Sequence, residues 1–135
     1  GAQHAIAGFR LAPHHALLAL SASEALGEEA VRLGFIASPY DPRLRISACV
    51  GRPGCASGQA AARADAAGLA AHMPRDITLH VSGCAKGCAH PGPADITLVG
   101  RNGGYGLVIN GRAGDTPHAQ LRADQLAAAL AGGRG

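Results

Sequence analysis

From Phe9 to Leu20 the chain alternates weakly between apolar and polar side chains, and the Leu/Ala-rich run at its end predicts a strand over Leu17–Ser21. Ser23 followed by Glu24, Glu28 and Glu29 marks a helix start. A serine side chain can accept from a free N–H of the first turn, and acids there oppose the positive end of the helix dipole. That helix is expected to run to about Leu33 and to stop at Gly34. Ser38-Pro39-Tyr40-Asp41-Pro42 reads as a turn and Leu44–Ala48 as a short strand. Ser57-Gly58 predicts the cap of a second, alanine-rich helix from about Gln59 to Ala71, ended by Met73-Pro74-Arg75-Asp76. Ile77–Val81 predicts a strand by its alternation and β-branched content, and Ile96–Val99 predicts another. Arg101-Asn102-Gly103-Gly104 predicts a hairpin turn that returns through Tyr105–Ile109. Leu121–Leu130 predicts a closing helix. This order predicts an α+β fold, or two small α/β layers.

The 135 residues suffice for one domain with its own core. The apolar side chains are small, however: there is no tryptophan, and only two phenylalanines and two tyrosines. Such a chain favours close backbone approach over bulky packing, and is expected to gain stability from a cofactor or a neighbouring domain. The net charge of +3 comes almost entirely from arginine, Lys86 being the sole lysine. These cations are scattered and carry no aromatic stacking platforms among them, which argues against nucleic acid. No apolar run nears the roughly 18 residues of a membrane span, and Gly1–Gly8 lacks the pattern of a signal peptide. The missing initiator methionine predicts a piece of a longer chain. Four cysteines without a secretion signal predict a cytoplasmic protein, where metal binding is favoured over disulfides.

Those cysteines form two pairs. Cys49 and Cys55 give C-x5-C at the end of one predicted strand, and Cys84 and Cys88 give C-x3-C just after another. Gly51, Gly54, Gly83 and Gly87 stand in or beside the two loops and allow backbone to approach a shared group closely. Four thiolates around a [4Fe–4S] core carry a net charge of about −2. Arg52 and Lys86, one in each loop, and the positive end of a helix starting near Gly58 are placed to offset it. A structural zinc site usually uses loops of C-x2-C to C-x4-C, so the x5 spacing favours a cluster. The C-x-x-C of a thioredoxin-like pair is absent.

At these residues the chain resembles the nitrite/sulfite reductase superfamily: Ser82-Gly83-Cys84-x3-Cys88 is followed by Asp95-Ile96-Thr97-Leu98, with Cys49-x5-Cys55 upstream. Within it, Val81 to Pro91, Ala48 to Gly58 and Gly103-Gly104-Tyr105-Gly106-Leu107 are most similar to the precorrin-3B synthases. Siroheme reductases tend to carry asparagine where Lys86 stands. The resemblance implies a ferredoxin-like half-domain segment over 1–42 and a cluster-binding domain over 43–135. Together these would form the C-terminal, cluster-bearing half of a longer enzyme whose N-terminal half is missing. It implies Cys49, Cys55, Cys84 and Cys88 as ligands of a [4Fe–4S] cluster. It further implies a mononuclear non-haem iron, NADH as electron source, and the oxygen-dependent conversion of precorrin-3A to its hydroxylated γ-lactone, precorrin-3B. Such a substrate is a polycarboxylate tetrapyrrole, for which Arg52 and Lys86 are candidate contacts. Non-haem iron often takes two histidines and a carboxylate, so His80 and His90 are candidate ligands, with His14, His15 and Asp95 weaker ones. A siroheme-dependent sulfite or nitrite reductase and a non-catalytic cluster or zinc module are the alternatives.

Overall fold

The computed structural model describes residues 7–13, 15–20 and 23–132. The chain divides into two compact units, Gly1–Asp41 and Pro42–Gly135. In the first, β1 (Gly8–Ala12) and β2 (Ala16–Leu20) form an antiparallel hairpin in which Phe9 faces Ala19 and Leu11 faces Leu17. Sequence alternation predicts β2 to within a residue, its expected last position, Ser21, lying outside the described residues. It does not predict β1, which is held by pairing with β2. Helix α1 (Glu24–Arg32) starts where Ser23 Oγ accepts from the Leu26 N–H at 3.3 Å, and gives way at Gly34, whose φ is +97°. This helix buries no residue, and Phe9, Leu11, Leu17 and Leu18 are all more than half exposed.

The second unit is a five-stranded sheet in the order β3-β4-β5-β6-β7, comprising Ile46–Ala48, Leu79–Ser82, Ala94–Arg101, Gly104–Gly111 and Ala119–Leu121. The first three strands run parallel and the last two antiparallel. Strand alternation sends Leu79, Val81, Ile96, Leu98 and Tyr105 to one face. There they pack with Ala62, Ala66 and Leu69 of α2 (Ala62–Leu69) and Leu126 and Leu130 of α3 (Leu126–Gly132). The opposite face carries His80, Thr97, Val99 and Val108, all buried. The chain is thus a mixed α+β protein, as its pattern predicts.

Several boundaries move for local reasons. Pro42–Arg45 winds into a 3₁₀ turn, so β3 starts at Ile46. Arg45 Nη1 then donates to the carbonyls of Pro74 and Ile77 at 2.6 and 3.3 Å. Thr78 is tied to Asp95: its N–H and hydroxyl donate to Oδ2 at 2.9 and 3.1 Å, and the Asp95 N–H donates back to the hydroxyl at 3.0 Å. Strand β4 consequently begins at Leu79 rather than Ile77. The hairpin turn falls where expected, with Asn102 and Gly103 both at positive φ, and its strands run longer than predicted. The expected helix from Leu121 is instead β7, a 3₁₀ turn and α3.

The second helix starts at Ala62, not Gln59, and has no side-chain cap. One part-buried hydrogen bond fixes it to the sheet: the Tyr105 hydroxyl, on a residue 1% exposed, donates to Asp65 Oδ2 at 2.5 Å. Burial first, then that bond and the nearby carboxylate, push the phenol well above its ordinary pKa, so it stays a donor. Tyr105→Phe leaves Asp65 without this donor and is expected to cost about 1–3 kcal/mol in urea unfolding. An unchanged unfolding midpoint would contradict the bond as a tie between α2 and the sheet.

Candidate metal centre

Because β3 and β4 pair in parallel, Ile46 opposite Leu79 and Ala48 opposite Val81, their carboxyl ends lie side by side. The two cysteine loops leave from those ends. The Cys49 N–H extends the pairing by donating to Val81 O at 3.3 Å. Gly51 then turns at φ +62°, and short bonds close the loop: Cys55 N–H to Gly51 O at 2.8 Å, Gly58 N–H to Cys55 O at 3.0 Å, and Arg52 N–H to Ala60 O at 2.8 Å. Residues 57–61 therefore belong to this loop and not to a helix. The expectation of a helix end at Gly58 aimed at Cys55 is corrected, since the backbone groups there already bond within the loops.

The second loop is held on the first. The Gly83 N–H donates to Cys49 Sγ at 3.1 Å, and the Gln59 N–H donates to Gly83 O at 2.7 Å. Within it, Ser82 Oγ donates to Cys84 O at 2.6 Å, and Gly87 takes φ +66°. Contacts this close leave no room for side chains. A Cβ on Gly51 would lie 2.5 Å from Ala62 N and 2.6 Å from Ala60 O, and one on Gly100 would lie 2.6 Å from Gly83 O. One on Gly83 would sit 3.1 Å from Gly51 Cα and 3.5 Å from Cys49 Sγ.

The result is a cavity of about 450 Å³ whose lining includes Cys49, Cys55, Cys84 and Cys88 together. All four cysteines are free thiols; Cys88 is exposed and the others half-buried. Among the described residues, no three His, Cys, Asp or Glu side chains are placed to ligate one metal ion. A tetrahedral zinc would draw its thiolates to about 3.8 Å from one another, given Zn–S bonds of about 2.3 Å. A cubane gives each thiolate a different iron and so spreads four sulfurs around a larger body. A shared cavity, a backbone N–H already on one sulfur and glycine walls that a Cβ would fill suit that larger anionic group.

The other candidates separate. Lys86 lines the cavity, its Nζ donating to Ser57 Oγ at 3.0 Å across the two loops. Arg52 is not part of the lining, and its Nε donates to Gly58 O at 2.9 Å. Asp95 ties β5 to Thr78 as described. His15 is exposed at positive φ, and His14 lies outside the described residues. His80 is fully buried on the face away from the helices, beneath the second loop: a Cβ on Gly87 would lie 3.7 Å from its ring. Neither ring nitrogen has a hydrogen-bond partner among the described residues. Burial, and secondarily His90, lower its pKa to about 4, so the imidazole is neutral at neutral pH. The His90 ring stands edge-on with centroids 5.6 Å apart, its Nε2 being 3.1 Å from Pro93 O. The described residues thus do not assemble two histidines and a carboxylate for a mononuclear iron. Ser57 is the site residue that sequence reasoning missed. Its partner is 29 positions away, and no local signal marks it.

Gly51→Ala is expected to lower stability by about 1–3 kcal/mol, through backbone overlap and the positive φ. Gly68→Ala, on α2 with open space around it, is expected to raise stability by up to about 1 kcal/mol. Chemical denaturation checks both, and equal effects of the two would contradict the close approach of the loops.

No protein-family profile matches the chain. Precorrin-3B synthase of a Sinorhizobium species is 41% identical over 130 residues, a match covering 90% of this chain and 28% of that protein. Among solved structures, the NirA protein of Mycobacterium tuberculosis superposes with a TM-score of 0.67 at 22% identity, over 90% of this chain and 28% of NirA. The chain therefore spans little more than a quarter of the length of either. The sequence match and the fold agree: over this stretch the chain is similar to precorrin-3B synthase and has the fold of the corresponding part of NirA.

Proposed function

We propose that the cavity between the two loops is the seat of a [4Fe–4S] cluster held by Cys49, Cys55, Cys84 and Cys88. In this reading the chain is the cluster-bearing, C-terminal part of an oxygenase that converts precorrin-3A to precorrin-3B. The observation that carries it is the common cavity of the four cysteines, joined to the 41% identity with precorrin-3B synthase. When bound, such a cluster supplies electrons one at a time. In the overall reaction one atom of dioxygen enters the tetrapyrrole and the other leaves as water, with two electrons drawn from NADH.

This chain's own residues hold and screen that centre. The Gly83 N–H partly neutralises the Cys49 thiolate, and the Ser82 hydroxyl fixes the backbone from which Cys84 projects. The half-buried sulfurs would sit back from water, leaving exposed Cys88 as the approach side. The ligands of the mononuclear iron would come from the rest of the full-length protein, because His80 and His90 do not form a triad with a carboxylate here. The same missing portion would cover Phe9, Leu11, Leu17 and Leu18, whose hairpin is otherwise too small to be stable alone. Residues 1–42 and 43–135 are accordingly proposed as a ferredoxin-like half-domain segment and the cluster-binding domain of one such half. No helix among the described residues is long and apolar enough to cross a membrane, and the working compartment is proposed as the cytoplasm.

The shared fold favours a second reading, a siroheme-dependent sulfite or nitrite reductase. The full-length protein incubated with precorrin-3A, dioxygen and NADH is expected to yield a lactone heavier by one oxygen atom, read by mass spectrometry. Strong Soret and charge-transfer bands in protein from a siroheme-producing host, with no mass gain, would instead establish the reductase.

A further inference from the structure

The two cysteine loops are joined by one side-chain contact that neither the ligand set nor the fold requires. Lys86 lies between Cys84 and Cys88, and Ser57 lies two residues after Cys55. Their hydrogen bond, Nζ to Oγ at 3.0 Å, therefore closes a ring that runs through both ligand loops. Both residues line the cavity. Apart from the cysteines, Lys86 is the one ionisable side chain in that lining. Arg52, the cation of the other loop, is turned onto Gly58 O and is absent from the lining. The chain uses arginine at every other cationic position, so its single lysine stands where a compact ammonium faces the cavity.

We propose that the Lys86–Ser57 bond is a clasp that fixes an ammonium beside the cluster and thereby raises the cluster's reduction potential. The proposal rests on the cluster reading above. A four-cysteine cluster gains one negative charge on reduction, so a cation held at fixed distance stabilises the reduced state more than the oxidised one. A free lysine on an exposed loop would be averaged over many rotamers and screened by salt, and would do little. Lys86 and Ser57 are both exposed, and their hydrogen bond restricts that freedom. It favours one position for the ammonium and ties the Cys55 side of the cavity to the Cys84–Cys88 side. Lys86 is then a positioning residue for the redox centre.

The test is a potentiometric titration of the full-length protein, followed by the EPR signal of the reduced cluster. It compares wild type with Lys86→Gln, Lys86→Arg and Ser57→Ala. Lys86→Gln is expected to lower the midpoint by about 59 mV or more, a tenfold change in a one-electron equilibrium. Ser57→Ala should shift it the same way by less, Lys86→Arg should restore most of it, and raising the salt should shrink the difference between wild type and Lys86→Gln. An unmoved potential in Lys86→Gln overturns the proposal. So does a shift in Lys86→Gln with none in Ser57→Ala, because the lysine would then act without the clasp. Iron and labile-sulfide content, measured first on wild type, separates the two levels: their absence overturns the cluster reading itself and the clasp with it.

Discussion

Everything at this site depends on two parallel strands, β3 and β4, ending side by side, with glycine backbone meeting backbone where the loops that follow them touch. Parallel pairing sends successive strands out of the sheet at the same edge, the place where open α/β sheets present their binding crevices. Glycine then decides how close the loops come. With Gly83 against Gly51 and Gly100 against Gly83, backbone meets backbone, and the Gly83 N–H reaches the sulfur of Cys49. A single Cβ at Gly51 or Gly100 would overlap backbone atoms of the neighbouring segment.

The rest of the second unit serves that edge. Helices α2 and α3 cover one face with alanine and leucine side chains, and Tyr105 pins α2 through Asp65. The connection from β4 to β5 has no helix. It returns over the other face instead, and its Gly87 turn rests against His80 and Ala113. This path buries His80, and it makes one short loop both the carrier of Cys84 and Cys88 and a lid on the sheet. A composition poor in aromatics is suited to such an arrangement, because alanine and glycine let three layers of backbone approach where larger residues would hold them apart.

What could be read from the sequence was whatever is encoded locally. Ser23 announces α1 because its own side chain makes the cap, and Asn102-Gly103 announces the β5–β6 turn because both positions need positive φ. The cysteine spacing and its glycines pointed to two converging loops. What was not legible was decided at long range. Ser57-Gly58 looks like a helix cap, yet the Gln59 N–H is taken by Gly83 and Ala60 O by Arg52, so the helix waits until Ala62. Ala119–Leu121 has no strand pattern and is a strand only because β6 lies beside it. His80 alternates onto the face opposite Leu79 and Val81, and nothing in its neighbours shows that a loop will close over it. The pairing of Lys86 with Ser57 is of the same kind.

The central claim is that four cysteines from two loops share one polynuclear centre and not one ion. Iron K-edge X-ray absorption of the purified protein tests this most directly. The account predicts a sulfur-dominated first shell together with a clear iron–iron shell, the latter lost when Cys84 is replaced by serine. Zinc in place of iron, or iron with no iron–iron scattering, would contradict it.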